Sequence, residues 1–120
     1  MRAKQIFSTF LFTFGVAALT SAGPARAADL AAAKENYEAF CVLCHGETGK
    51  GDGPAGAAAR ARDLTDCATM SKISDDTMFN VIKNGGAAAG LSKAMQPWGS
   101  GFEDSDIRDL VAYVRTFCRK

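Results

Sequence analysis

Cys41 and Cys44 stand three positions apart and His45 follows directly, in the run Cys41-Val42-Leu43-Cys44-His45. Two thiols at i and i+3 project from neighbouring points of one helical turn, so both can reach substituents of a single flat ring. Thioether bonds to the two vinyl groups of a porphyrin, with an imidazole at the next residue to ligate its iron, would make a covalent haem c site. The chemistry that follows is movement of single electrons.

Other chemistries also use close cysteines or glycine-rich loops. A thioredoxin-like redox pair follows a strand in a βαβ pattern, whereas Asp29 to Phe40 is rich in Ala and Glu and favours helix. A structural zinc site draws on a second close pair, but the remaining cysteines, Cys67 and Cys118, stand far apart. The stretch from Gly46 to Pro54 has four glycines in nine residues and reads as a loop that wraps a ligand. It lacks the Gly-Lys-Ser/Thr ending and the preceding strand of a phosphate-cradling loop.

A six-coordinate iron needs a second axial donor, and His45 is the only histidine in the chain. The choice falls to methionine, lysine or a backbone group. Met78 lies in a helical stretch beside Phe79, where packing is the default role, and Met70 stands in a polar loop near Cys67. Met95 precedes Pro97 and Trp98, and a loop stiffened by proline can hold a weak thioether ligand against the entropy of releasing it. Met95 is the expected sixth ligand; a methionine merely packed on the haem edge, or Met70 in its place, are the alternatives.

The elements that must position these residues read as helices. Asp29 to about Cys44 opens with an N-cap acid and carries Leu30, Ala33, Tyr37 and Phe40 at helical spacing. A second helix begins after Ser74 and stops at Asn84-Gly85-Gly86, burying Met78, Phe79, Val81 and Ile82. The last starts near Glu103 or Asp104, with Ile107, Leu110, Val111, Val114 and Phe117 along one stripe. Ala55 to Arg62 reads as a helical turn or a linker. No stretch keeps the period-two alternation of a half-buried strand, so the fold class is all-α, three main helices and connecting loops.

Arg2 and Lys4, the apolar run from Ile6 to Leu19 and the small-residue pattern Ala25-Arg26-Ala27 read as a secretory signal peptide covering residues 1–27. The apolar run is shorter than the ~20 residues of a spanning helix, which argues against an uncleaved anchor and for no integral membrane segment in the mature form. Residues 28–120 then form one domain with 11 basic and 13 acidic residues. That balance disfavours nucleic acid as a partner, which wants a clustered basic patch. A domain of this size has a marginal apolar core, and a buried haem would complete it.

The chain resembles the small class I c-type cytochromes of bacterial periplasms, single-haem electron-transfer proteins. The resemblance runs from about Asp29 to Phe117 and rests on Cys41 to Gly46, on Gly49-Lys50-Gly51-Asp52-Gly53-Pro54, on Met95-Gln96-Pro97-Trp98-Gly99 and on Asp109 to Val114. It implies a cytochrome c fold whose terminal helices cross, Ala33 and Tyr37 meeting Leu110 and Tyr113. It also implies that the Pro54 carbonyl accepts a hydrogen bond from the proximal imidazole and raises its basicity. Leu64, Ile73, Val81 and Ile82 would wall the pocket, with Trp98, Arg60 or Arg62 near a propionate; plain packing for Trp98 and surface solvation for the two arginines are the alternatives.

Cys67 and Cys118 are additional to the resemblance. In an exported protein two leftover cysteines most economically form a disulfide; separate buried or reactive thiols are the alternative.

These features together imply a periplasmic electron carrier, not an enzyme, that meets donor and acceptor oxidoreductases at an exposed haem edge near Cys41 and the Met95 loop. Lys50, Lys83 and Lys93 are candidates for a mildly basic rim there. A haem enzyme or gas-binding module would need a distal histidine that the chain lacks once His45 is committed. An obligate haem subunit of a larger oxidoreductase would carry the same residues as a free shuttle.

Overall fold

Asp29 caps the first helix, α1 (Leu30–Phe40), by accepting a hydrogen bond from the Ala32 amide at 3.0 Å. In this computed structural model, which describes residues 26–119, the helix expected to run on to Cys44 is divided. Cys41 still donates to the Tyr37 carbonyl, but its φ of −108° opens the turn, and a short second helix, α2 (Val42–His45), follows. Gly46, at φ +77°, ends it, a conformation that favours glycine. Most of the expected signal peptide, residues 1–25, lies outside the described residues.

Two single-turn helices come next, α3 (Gly56–Ala59) and α4 (Cys67–Met70), the latter capped by Asp66. The expectation of a helical turn within Ala55 to Arg62 is met by α3. The turn at α4 is not among the expected helices, and Met70, expected in a polar loop, is buried. Ser74 caps α5 (Asp75–Asn84) through the Thr77 amide, and Gly85 ends it where the sequence has its double glycine. A 3₁₀ turn, Gly86–Ala89, opens the following loop. The last helix, α6 (Asp104–Thr116), starts in a reciprocal capping box between Glu103 and Asp106. Among the described residues there is no strand, and the protein is all-α.

The core forms where α1 and α5 pack on α6. Tyr37, Ile107 and Leu110 are its largest fully buried side chains, joined by Met78, Phe79, Val111 and Val114. The Tyr37 ring lies 5.4 Å from Tyr113, a contact that the resemblance implied, and 5.4 Å from Phe117. Its hydroxyl donates to the Gly46 carbonyl at 2.8 Å. That bond matters for the site, because it fixes the end of the Cys41–His45 turn directly to the helix-packing core.

Two long-range ties secure the periphery. Cys67 and Cys118, 51 positions apart, are bonded as a disulfide with Cα atoms 5.4 Å apart, so the expected pairing is present. Beside it Arg115 donates to the carbonyls of Met70, at 2.8 Å, and Ile73, and pairs with Asp75 at 2.8 Å. Elsewhere on α6 Asp109, only 5% exposed, receives both guanidinium nitrogens of Arg26, at 3.0 and 2.9 Å. Arg26 precedes the expected cleavage position, so removal of residues 1–27 would take this counter-charge away from a buried carboxylate.

Candidate functional site

The Cys41–His45 turn brings its three chemical groups together by local hydrogen bonding. Cys44 and His45 both donate their amides to the Cys41 carbonyl, at 3.2 and 2.9 Å, which winds the two thiols and the imidazole onto one turn. Both thiols are free and half-buried. Burial pushes the Cys41 thiol up to about 11, with the neighbouring Cys44 adding to the effect. It is therefore a neutral thiol near pH 7.

Burial also lowers the His45 pKa, against an opposing hydrogen bond to the Arg62 carbonyl. That carbonyl lies 3.2 Å from Nδ1. With Nδ1 as the donor, Nε2 keeps its lone pair and is the nitrogen available to a metal.

In this structure the carbonyl beside Nδ1 is that of Arg62, whereas the resemblance implies that of Pro54. The reason lies in the path of the loop. Arg60 adopts a left-handed conformation, φ 52°, and turns the chain back so that Leu64 donates to the Gly49 carbonyl at 2.6 Å. A Cβ placed on Gly51, itself at φ +74°, would come within 2.6 Å of the Ala61 carbonyl and 3.2 Å of that of Arg62. Glycine there lets the returning segment pass beside the imidazole. Pro54 sits in a turn held on the motif by two bonds, Gly53 to the Cys44 carbonyl at 3.2 Å and Ala55 to that of Leu43 at 2.9 Å.

Met95 belongs to a loop fastened along the end of α5. Gly86 donates to the Met95 carbonyl at 2.8 Å, Trp98 to that of Ile82 at 3.0 Å, and Gly99 to that of Lys83 at 3.0 Å. A Cβ on Gly86 would meet the Ser92 carbonyl at 2.3 Å and the Met95 Cβ at 3.1 Å. The double glycine thus stops α5 and also makes room for the methionine loop, a second role that sequence reading did not assign it. Met95 is half-buried; Met70 and Met78 are buried in the core, as helix-packing methionines are.

An aromatic cluster joins the two halves of the site. Phe40, the residue before Cys41, lies 5.6 Å from Trp98 and 5.5 Å from Phe102, and Trp98 lies 6.0 Å from Phe102. The segment that carries the thiols is thereby packed against the loop that carries Met95. Trp98 spends its ring on this cluster, so the sequence alternative of plain packing describes it. Of the other expected wall residues, Leu64 is buried while Ile73, Val81 and Ile82 are half-buried.

The competing chemistries find little to work with. Among the described residues no three of His, Cys, Asp and Glu gather into a metal cage, and Cys67 and Cys118 are bonded to each other. The zinc reading therefore lacks its ligands. Two free thiols and one imidazole on a single turn, with a thioether on a fastened loop, suit a porphyrin bound covalently and through iron.

Comparison with known proteins finds c-type cytochromes. A family profile described as cytochrome C oxidase, cbb3-type, subunit III matches residues 28–114. Cytochrome c-554(547) of Halothiobacillus neapolitanus is 30% identical over 92 residues, which cover 75% of this chain and 98% of that protein. The cbb3-type cytochrome c oxidase subunit FixP of Azorhizobium caulinodans is 33% identical over 104 residues, 84% of this chain but 31% of the relative. The chain thus spans about a third of that subunit's length. Among solved structures, the KustC0563 c-type cytochrome superposes with a TM-score of 0.62 at 25% identity, covering 72% of this chain and 98% of that one. By its fold, its Cys-x-x-Cys-His turn and these relatives, the chain belongs to the cytochrome c family, whose members carry electrons.

Proposed function

We propose that this chain is a periplasmic electron carrier holding one haem c through thioethers at Cys41 and Cys44, with His45 and Met95 as axial ligands. When bound, the haem supplies one-electron chemistry between Fe(III) and Fe(II). The remaining work belongs to the chain. His45 offers Nε2 because Nδ1 is held by the Arg62 carbonyl. The fastened loop keeps the Met95 thioether from drifting off, and the Tyr37 hydroxyl ties the imidazole turn to the core.

The observation that carries this reading is the Phe40–Trp98–Phe102 cluster, which packs the thiol segment and the methionine loop together. With both axial positions filled by protein, no substrate atom need reach the iron. A thioether ligand and burial both favour the ferrous state, so the potential lies above that of a bis-histidine site.

The partner face follows from the same cluster. Phe40 is 49% exposed and Leu43 62%, so the edge beside the thiols is apolar. Lys83, one of the expected rim lysines, is paired with Asp104 at 2.6 Å and lies over the Phe79 ring, leaving Lys50 and Lys93 as the exposed members. Partner oxidoreductases then dock on an apolar edge with a thin basic rim.

Export by removal of residues 1–27 accompanies this function, and no helix among the described residues is long and apolar enough to cross a membrane. The near full-length match to cytochrome c-554(547) favours a free carrier, whereas the match to part of FixP favours a haem subunit of a larger complex.

A redox titration of the purified protein followed by its visible spectrum tests the reading. The expected result is a single one-electron wave and a ferrous spectrum that carbon monoxide does not change. Carbon monoxide binding by the unaltered protein would mean a vacant iron position and would favour a gas-binding or catalytic haem.

A further inference from the structure

We infer that the Cys67–Cys118 disulfide is a site of thiol–disulfide exchange, opened in the folded protein by an external dithiol that enters a cavity between α4 and α6. The disulfide lies away from the Cys41–His45 turn and has no part in the electron-carrier reading. Its surroundings differ from those of a buried structural bridge in three ways.

First, both sulfur residues line a cavity of about 340 Å³, shared with Met70, Asp75, Arg115 and Arg119. Second, Cys67 is exposed while Cys118 is half-buried, so the two sulfurs are unequal toward a reagent from solvent. Third, the cavity carries two guanidinium groups. Arg115 is committed to Asp75 and to the carbonyls of Met70 and Ile73, whereas Arg119 stands exposed at the cavity edge. A thiolate approaching there meets an attracting charge, and a thiolate leaving there is stabilised by it. Exposed disulfides are the more readily reduced class.

The step is a balanced displacement. A thiolate of the reductant attacks Cys67 Sγ; the Cys67–Cys118 bond breaks, and Cys118 leaves with the electron pair and takes a proton from water. The second thiol of the reductant then attacks the reductant's own sulfur in the mixed disulfide and releases Cys67. Two electrons and two protons pass to the protein, and the reductant ends as a disulfide.

Opening the bridge does not by itself release α4, because the three Arg115 contacts still hold Met70, Ile73 and Asp75 to α6. What gains freedom is the stretch just before Cys67, which continues back to Leu64 and to the Arg62 carbonyl at His45. The exchange site therefore lies on the segment that holds the imidazole.

Ferrous haem-loaded protein, whose iron takes no electrons from the reagent, is treated with 2-mercaptoethanol or dithiothreitol at neutral pH, then alkylated and mapped by peptide mass. The expected result is reduction in the native state, with far-ultraviolet circular dichroism retained. The 2-mercaptoethanol adduct should sit on Cys67 and the alkyl group on Cys118. Arg119→Gln should slow the reaction about threefold or more, a difference that added salt erases. Reduction only at the rate of global unfolding, an adduct confined to Cys118, or an unchanged rate in Arg119→Gln would each overturn the inference.

Discussion

Replacing both Cys41 and Cys44 by serine is expected to yield a haem-free chain whose helical circular dichroism falls to a small fraction of the native signal, with no cooperative melt. The cause is core size. Among the described residues the largest fully buried side chains are Tyr37, Ile107 and Leu110, while Val42, Ile73, Val81 and Ile82 stay half-buried, and Phe40 and Leu43 face solvent. A core of that extent is small for a single domain, and a porphyrin among the half-buried residues provides apolar area they otherwise lack. The Cys67–Cys118 bridge, worth roughly 2–4 kcal/mol through the unfolded chain, does not replace that contact. Native-like helical content and a cooperative melt in the serine variant would show that the helices need no cofactor to close.

Met95→Ala carries the second large effect. The loop would keep its bonds, since those from Gly86, Trp98 and Gly99 are made by backbone atoms. The variant should therefore fold and take up haem, yet leave one axial position without its thioether. Its ferrous form is expected to bind carbon monoxide at concentrations that leave the unaltered protein's spectrum unchanged, and its potential is expected to fall as thioether ligation is lost. Photometric titration with carbon monoxide checks both proteins side by side. Equal binding by the two would remove Met95 from the ligand set.

Much of this arrangement was legible from residue order, and the parts that were not share a physical cause. The three long helices follow from apolar spacing together with the caps Asp29, Ser74 and Glu103, all of which are local signals. The Cys41-to-His45 run announces its chemistry because the spacing is itself the geometry. The Arg62 carbonyl could not be found the same way. Its place beside His45 depends on the left-handed turn at Arg60 and on the close pass at Gly51, both set by how a loop folds back and not by a pattern in it.

The same distinction accounts for the short turn at α4, which is secured by Arg115 and the disulfide from a helix far along the chain. It accounts also for Lys83, whose side chain reads as a rim charge until Asp104 is brought beside it. Gly86 offered a signal that sequence reading used only as a helix stop; a second glycine after the cap residue also marks a close backbone approach. Trp98 had two readings, and its ring contacts with Phe40 and Phe102 select packing.

Electron carriage by this chain depends above all on the two thiols of the Cys41–His45 turn being consumed by one porphyrin. Intact mass spectrometry of protein matured in a host that attaches haem tests this most directly, read together with thiol alkylation under denaturing conditions. The expected result is the mass of the polypeptide plus one haem, resistant to acid–acetone extraction, with Cys41 and Cys44 unreactive. A bare polypeptide in which both cysteines are alkylated would contradict it.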